Sequence, residues 1–233
     1  MKIIASDKQP AWIVYRALVG VGLVCALMIV SVFLLTLSAI EKNRSEALAQ
    51  AIFTVLPGAN TKLAFALTGG EHFVVADANT DASDAEAVIH AGYGAHGQLI
   101  GVAIEAQGMG YQDTIRILYG YIPDRQVIAG MQVLESKETP GLGSKIETDK
   151  SFLKNFSQLD VSLTAEGSAI KNAIVAVKPG QKTEPWEIDG ITGATISSKA
   201  VAGILRASTR RWIPLVQRHL QVFHAAGEAH SDS

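Results

Sequence analysis

Cysteine is almost missing from this 233-residue chain: Cys25 is the only one. A lone thiol excludes an intrachain disulfide, a cysteine-ligated iron–sulfur cluster, a zinc ribbon and a dithiol redox pair. Redox chemistry in this chain therefore needs an organic cofactor. The six histidines, His72, His90, His96, His219, His224 and His230, form no His-x-x-x-His or His-Glu-x-x-His pattern, so no metal site is read from them. Charged residues are only 18% of the chain, the net charge is −2, and no basic cluster stands out beyond Arg206, Arg210 and Arg211, which argues against a nucleic-acid partner. Those arginines fit a solvated helix face or lipid headgroups. A dinucleotide-binding fingerprint is missing too, because Gly20-Val21-Gly22 lies in an apolar run and follows no strand. There is no internal repeat of solenoid length.

Apolar residues are in excess, at 48% of the chain with a mean hydropathy of +0.22. Their main source is Ala17 to Ile40, a stretch without a charge bounded by Arg16 and Glu41. As a helix it would reach roughly 36 Å, enough to span a bilayer with some tilt. A cleavable signal peptide has an apolar region of only about 7 to 15 residues, so this stretch reads as a membrane helix. Trp12 and Tyr15 sit where interfacial aromatic anchors belong, and Lys2, Lys8 and Arg16 outnumber Lys42 and Arg44 across the span, which places the N-terminus in the cytoplasm.

After the span, Glu41 to Val55 lacks Gly and Pro and reads as a helix that ends before Pro57-Gly58. A short strand is expected at Phe73 to Ala76 and an acidic loop at Asp77 to Glu86. Three strands follow, at Leu99 to Glu105, Thr114 to Tyr121 and Val127 to Glu135. Pro123-Asp124-Arg125 between the last two predicts an antiparallel hairpin. A short helix at Lys150 to Phe156, a polar turn at Glu166-Gly167 and a strand at Ala173 to Lys178 come next. From Ser197 the spacing of Val201, Ile204, Leu205 and Trp212 is helical, with Pro214 expected to interrupt or restart the helix. Together these predict an α+β fold, antiparallel strands packed against helices. The expected divisions are a cytoplasmic N-terminus at 1–16, a transmembrane helix at 17–40, a connecting helix and loop region at 41–90, a ligand-binding domain at 91–224 and a disordered tail at 225–233.

Two segments carry chemistry. Asp189-Gly190-Ile191-Thr192-Gly193-Ala194-Thr195 places a hydroxyl, Thr195, where a turn opens into a helix, with Ser197 and Ser198 following. Ser and Thr are favoured helix caps, so alone the cluster reads as a cap. Its glycines also let backbone approach a ligand, and helix N-terminal amides favour an anion such as phosphate. Glu138-Thr139-Pro140-Gly141-Leu142-Gly143, after the third of those strands, reads alone as a tight irregular loop.

Both segments, in this order, resemble motifs of the FMN-binding domains of the Rnf and Nqr respiratory complexes: Asp-x-x-(Ser/Thr)-Gly-Ala-Thr and Glu-Thr-Pro-Gly-Leu-Gly. The resemblance implies that Thr195 carries covalent FMN through a phosphoester, installed by a separate metal-dependent flavin transferase that uses FAD. It implies cofactor-binding roles for Asp189, Thr192, Gly193 and Ala194, and for Glu138, Thr139, Gly141 and Leu142 in holding the flavin ring. No residue of this chain is then catalytic by itself. The implied protein is an electron-relay component of an Rnf-type complex that couples ferredoxin/NAD electron transfer to ion movement. It would be single-pass in a bacterial inner membrane, with the FMN domain on the periplasmic side and the other complex subunits as partners. The C-type component of a sodium-pumping NADH:quinone reductase is the nearest alternative. A membrane-anchored FMN-binding or sensory module without relay function, and a structural assembly component, are the others.

Overall fold

The computed structural model describes residues 11–76 and 87–231; the expected acidic loop at 77–86, and residues 1–10 of the expected cytoplasmic segment, lie outside them. The chain divides into two units, one up to Ala47 and one from Leu48 onward.

The first unit is the greater part of helix α1, Ala11–Val55. From Trp12 the helix is long and apolar enough to cross a membrane, with a mean hydropathy of 2.9 in its most apolar window and none of that window buried. Apolar side chains exposed along its whole length, from Trp12 to Ile40, make a hydrocarbon environment the favourable one. The helix stops at Val55, two residues before Pro57, whose ring cannot continue it.

In the second unit a seven-stranded antiparallel sheet is built from β1 Thr61–Thr68, β2 His72–Val75, β3 Ala87–Tyr93, β4 Leu99–Met109, β5 Thr114–Ile122, β6 Val127–Glu135 and β7 Leu159–Asp160, in the order β2-β1-β3-β4-β5-β6-β7. β4, β5 and β6 lie where the alternating β-branched runs predict them. β5 and β6 pair antiparallel across the Pro123-Asp124-Arg125 turn, where Gln126 takes the left-handed conformation at φ 51°. The region read as a connecting helix and loop, 41–90, instead supplies β1, β2 and the start of β3 to the same sheet.

Period-2 alternation gives the sheet two buried faces. Ile115, Ile117, Tyr119 and Tyr121 of β5 join the larger core, while Leu118 joins a second cluster with Ala51, Ile52, Val55 and Leu56 from the end of α1. On that second face glycines stand in register: Gly92 of β3 pairs with Gly101 of β4, and Gly120 of β5 with Gly130 of β6. The end of α1 lies against this strip. A Cβ on Gly120 would stand 2.1 Å from the Val55 carbonyl oxygen, and one on Gly130 would stand 2.9 Å from the Val55 Cα.

The larger core is closed by short helices α2 Lys145–Thr148 and α3 Lys150–Lys154, and by α4 Thr195–Arg218 and α5 Leu220–Ser231. α4 runs through Pro214 without a break, because Trp212, Ile213 and Val216 on either side of it are buried against the sheet. α5 occupies most of the segment expected to be a disordered tail. It is held by Phe223, which is fully buried and packs its ring 4.8 Å from Phe65 and 5.0 Å from Phe73. Tyrosines fix the helices on the strands. Tyr93 donates its hydroxyl to the Phe223 carbonyl at 2.8 Å, Tyr121 donates to Gln217 at 2.9 Å, and the Tyr119 hydroxyl meets Ser208 at 2.9 Å. Beside the main sheet, β8 Val175–Val177 pairs in parallel with β9 Glu187–Asp189, a three-residue strand that leads into the threonine-rich turn.

His90 of β3 pairs with Ala64 and Ala103 on the α1-facing side of the sheet. Burial, with a smaller push from Lys62, lowers its imidazole to about 4. Because the unfolded chain takes up that proton near pH 6.5, stability is full above 6.5 and is lost as pH falls toward 4, by up to about 3 kcal/mol. Denaturant titration of the detergent-solubilised protein at pH 7.5 and pH 5 is expected to show this loss, and His90→Gln is expected to reduce it to near zero.

Candidate functional site

Thr195 is the first residue of α4, exposed to solvent, and the residue before it, Ala194, is the N-cap. Alanine has no side chain to accept a bond from the first helical amides, and no side-chain cap is formed here. Thr195 is therefore not the helix cap, and the head of α4 presents its amides and dipole to whatever lies in front. Gly193 takes φ +83°, the left-handed conformation that turns the chain from β9 into the helix.

The hydroxyls around Thr195 do not share one role. Thr192 and Thr195 are exposed, but Ser197 and Ser198 are buried. The Ser198 hydroxyl accepts from the Ile191 amide at 3.0 Å and donates to the Ala194 carbonyl at 2.9 Å, closing the 191–194 turn on the helix. Asp189 turns the other way. Its carboxylate accepts the amides of Gln181 and Lys182 at 3.1 and 3.0 Å, and its backbone is clamped by the Asn155 side chain. It orders the loop beneath the turn, where burial pushes the Lys182 ammonium below its ordinary pKa.

The Glu138 segment packs directly onto the head of α4. Glu138 is 5% exposed, and its carboxylate accepts the Tyr111 and Gln112 amides at 2.7 and 3.0 Å through Oε1 and the Ser197 hydroxyl through Oε2. One side chain thus joins the β4–β5 hairpin, the loop after β6 and the first turn of α4. Room for it comes from two glycines: a Cβ on Gly110 would lie 2.5 Å from Oε1, and one on Gly143 would lie 2.4 Å from Oε2. Gly141, at φ +75°, turns the loop so that Leu142 projects outward, 51% exposed.

Between these segments is a pocket of about 380 Å³. Glu138, Thr139, Leu142 and Gly143 line one side, Gly193 to Ser197 the other, and Tyr111 closes an edge. Both motif segments therefore meet at one place. Tyr111 and Ile196, exposed by 62% and 55%, give the pocket apolar walls that no sequence motif announces. Their one legible signal is apolar residues at a hairpin tip and in a helix's first turn, where water-facing residues are the usual choice. On the far side of Thr195 a second depression of about 340 Å³ carries Lys178 and Lys199. Among the described residues no group of three or more His, Cys, Asp or Glu is placed to hold a metal.

The arrangement suits an anionic group on Thr195 attached to a flat apolar body. An exposed hydroxyl stands before free helix amides, and an adjoining slot offers apolar and aromatic surface. Residues 110–209 match the FMN-binding domain family. The G subunit of the ion-translocating oxidoreductase complex of Methanosarcina acetivorans is 35% identical over 117 residues, which are 50% of this chain and 54% of that protein. The G subunit of the Na(+)-translocating ferredoxin:NAD(+) oxidoreductase complex of Acetobacterium woodii is 34% identical over 107 residues, 46% of each chain. The matches thus span about half the length of these curated relatives. Among solved structures, the C subunit of the Na(+)-translocating NADH-quinone reductase of Parabacteroides distasonis superposes with a TM-score of 0.56 at 23% identity, covering 76% of this chain and 95% of that one. NqrC of Shewanella oneidensis superposes with a TM-score of 0.54 at 18% identity, covering 81% and 99%. Residues 110–209 thus resemble the FMN-binding domain family, the second unit has the fold of those reductase proteins, and the chain's sequence relatives are G subunits of ion-translocating oxidoreductase complexes.

Proposed function

We propose that Thr195 carries FMN through a phosphoester and that the chain is the membrane-anchored relay component of an Rnf-type complex, which couples ferredoxin/NAD electron transfer to ion translocation. The observation that carries this reading is the meeting of the two motif segments on one pocket, with an exposed threonine hydroxyl at the head of a helix whose cap is an alanine. The α4 amides and dipole stabilise the phosphate charge, while Leu142, Tyr111 and Ile196 offer the apolar surface against which the ring is held. Flavin passes electrons singly or in pairs, which suits it to join one-electron centres in partner subunits.

A threonine hydroxyl is not acidic enough to attack a pyrophosphate unaided, so attachment falls to a metal-dependent flavin transferase acting on FAD. α1 anchors the chain in the bacterial inner membrane with the N-terminus cytoplasmic and the FMN domain periplasmic, in keeping with the lysines and arginine before the span. The Nqr alternative has the fold in its favour, since the two solved structures described above are Nqr proteins of the C type. The sequence relatives, which are G subunits at 34–35% identity, favour Rnf.

The test is in-gel ultraviolet fluorescence of the denatured protein after co-production with a flavin transferase. Wild type is expected to fluoresce, Thr195→Ser, which keeps a hydroxyl, to retain a band, and Thr195→Ala to be dark. A fluorescent Thr195→Ala band would place the flavin elsewhere.

A further inference from the structure

α4 carries five cations, Lys199, Arg206, Arg210, Arg211 and Arg218, and not one acidic residue, in a chain whose net charge is −2. Thr195, Lys199, Arg206 and Arg210 follow one another at four, seven and four residues, which places them on one face of the helix. All five cations are exposed. Among the described residues only Arg218 has an acidic partner, Glu71 at 3.9 Å, and Arg211 lies over the Trp212 ring at 5.2 Å. Lys199, Arg206 and Arg210 form no ion pair within the described residues.

Helix stability does not account for this stripe. Cations are favoured in the last turn, where only Arg218 sits, and the like-charged pair Arg206 and Arg210 at i, i+4 is destabilising. A membrane surface does not account for it either. A helix lying in the headgroup layer inserts an apolar face, but the apolar face of α4, Val201, Leu205, Trp212, Ile213 and Val216, is buried in the core. Along the exposed face from Lys199 to Arg211 no large apolar side chain is available to insert. Three of the four cations in that stretch are arginines, whose planar fork pairs two bonds at once with a carboxylate, as it does with a phosphate. The stripe also begins at the site, since Lys199 lines the same depression as Thr195.

We infer that the exposed face of α4 from Lys199 to Arg210 is a docking surface for an acidic protein face, that of a partner subunit brought beside Thr195. That the docked partner is a subunit of such a complex, and that it exchanges electrons with this chain, rests on the function proposed above.

The test is zero-length carbodiimide cross-linking, which joins lysine amines to carboxylates, on the purified membrane complex in phosphatidylcholine nanodiscs. Arg206→Lys and Arg210→Lys keep the charge and add reporting amines beside Lys199. The expected result is cross-links from positions 199, 206 and 210 to Asp or Glu of another subunit, with a yield falling at least about tenfold from ~20 to ~300 mM salt. Arg206→Glu/Arg210→Glu/Arg211→Glu is expected to abolish the Lys199 cross-link while flavin fluorescence per chain is unchanged. The inference is overturned if cross-links form only to this chain's own carboxylates, or if none form and the amines are shielded from acetylation only when phosphatidylglycerol is added, which would mark a lipid-facing surface. It is equally overturned if none form and the amines are never shielded. Cross-links to another subunit in a chain that holds no flavin would uphold the docking surface and remove the flavin reading alone.

Discussion

Gly120→Ala is expected to abolish or nearly abolish folding of the second unit, although it adds one methyl group. The added Cβ would stand 2.1 Å from the Val55 carbonyl oxygen and 2.8 Å from the Val55 carbonyl carbon, so it meets backbone, which cannot rotate away as a side chain can. Moving the end of α1 outward would also uncover Ala51, Ile52 and Val55, with Leu56 just beyond the helix, which make up most of the second core cluster. Overpacking of this kind typically costs about 1–3 kcal/mol where side chains can adjust, and more is expected where they cannot. Gly203→Ala is the matched control: it adds the same methyl inside α4 with nothing within 4 Å, and should stabilise by roughly 0.5–1 kcal/mol through helix propensity. Thermal unfolding of the two variants in detergent, followed by tryptophan fluorescence, is expected to move in opposite directions from wild type. Equal effects would mean that the glycine strip is not a close-approach surface.

The second large effect is expected at Glu138. Its carboxylate accepts two backbone amides and the Ser197 hydroxyl in a nearly closed environment, and it fills space that Gly110 and Gly143 leave for it. Glu138→Ala removes all three acceptor contacts and leaves a cavity, a loss of about 3 kcal/mol, or roughly 6–12 °C in the unfolding midpoint. Glu138→Gln keeps the shape and one carbonyl acceptor, and should cost about 1–2 kcal/mol. Because the carboxylate ties the Tyr111 hairpin to the α4 turn, both variants should leave the ring site looser. The measurement is the visible absorption and quenching of bound flavin in folded protein, which should shift toward that of free FMN in Glu138→Ala and less in Glu138→Gln. An unaltered spectrum in the folded variant would show that Glu138 does not shape the ring site.

What could be read from the sequence follows from how local each signal is. β4, β5 and β6 are long runs of β-branched and aromatic residues separated by turn residues, and they lie within a few residues of where the pattern predicts them. β1 and β3 are hard to see because Ala64, Ala66, Ala87, Ala91 and Gly92 dilute their alternation. Their small size serves packing and pairing that only the assembled sheet reveals. β9 is three residues long and exists through its parallel partner β8, a pairing no hairpin signal could announce. α5 is obscured by Gly227 and its polar, histidine-bearing sequence, yet Gly227 is where the helix meets the Tyr93 ring and the Gly97 carbonyl, too close for a Cβ.

The site divides in the same manner. Thr195, Gly193, Leu142 and Glu138 stand in motifs whose spacing is visible in one dimension, and the fold brings them to one pocket. Asp189 stands in the motif as well, but its carboxylate serves the 181–182 loop, a role that depends on a turn outside the motif. Tyr111 reaches the pocket only because Glu138 binds its amide across 27 residues of chain, so nothing near it in sequence points there.

The most direct measurement is tryptic peptide mapping by mass spectrometry of protein co-produced with a flavin transferase, with fragmentation that preserves side-chain modifications. Cleavage after Lys182 and Lys199 releases Thr183 to Lys199, which contains Thr183, Thr192, Thr195, Ser197 and Ser198 as the candidate hydroxyls. The expected result is that peptide heavier by one FMN less one water, with the added mass confined to Thr195. An unmodified peptide despite an active transferase, or added mass on any of the other four hydroxyls, would contradict the account.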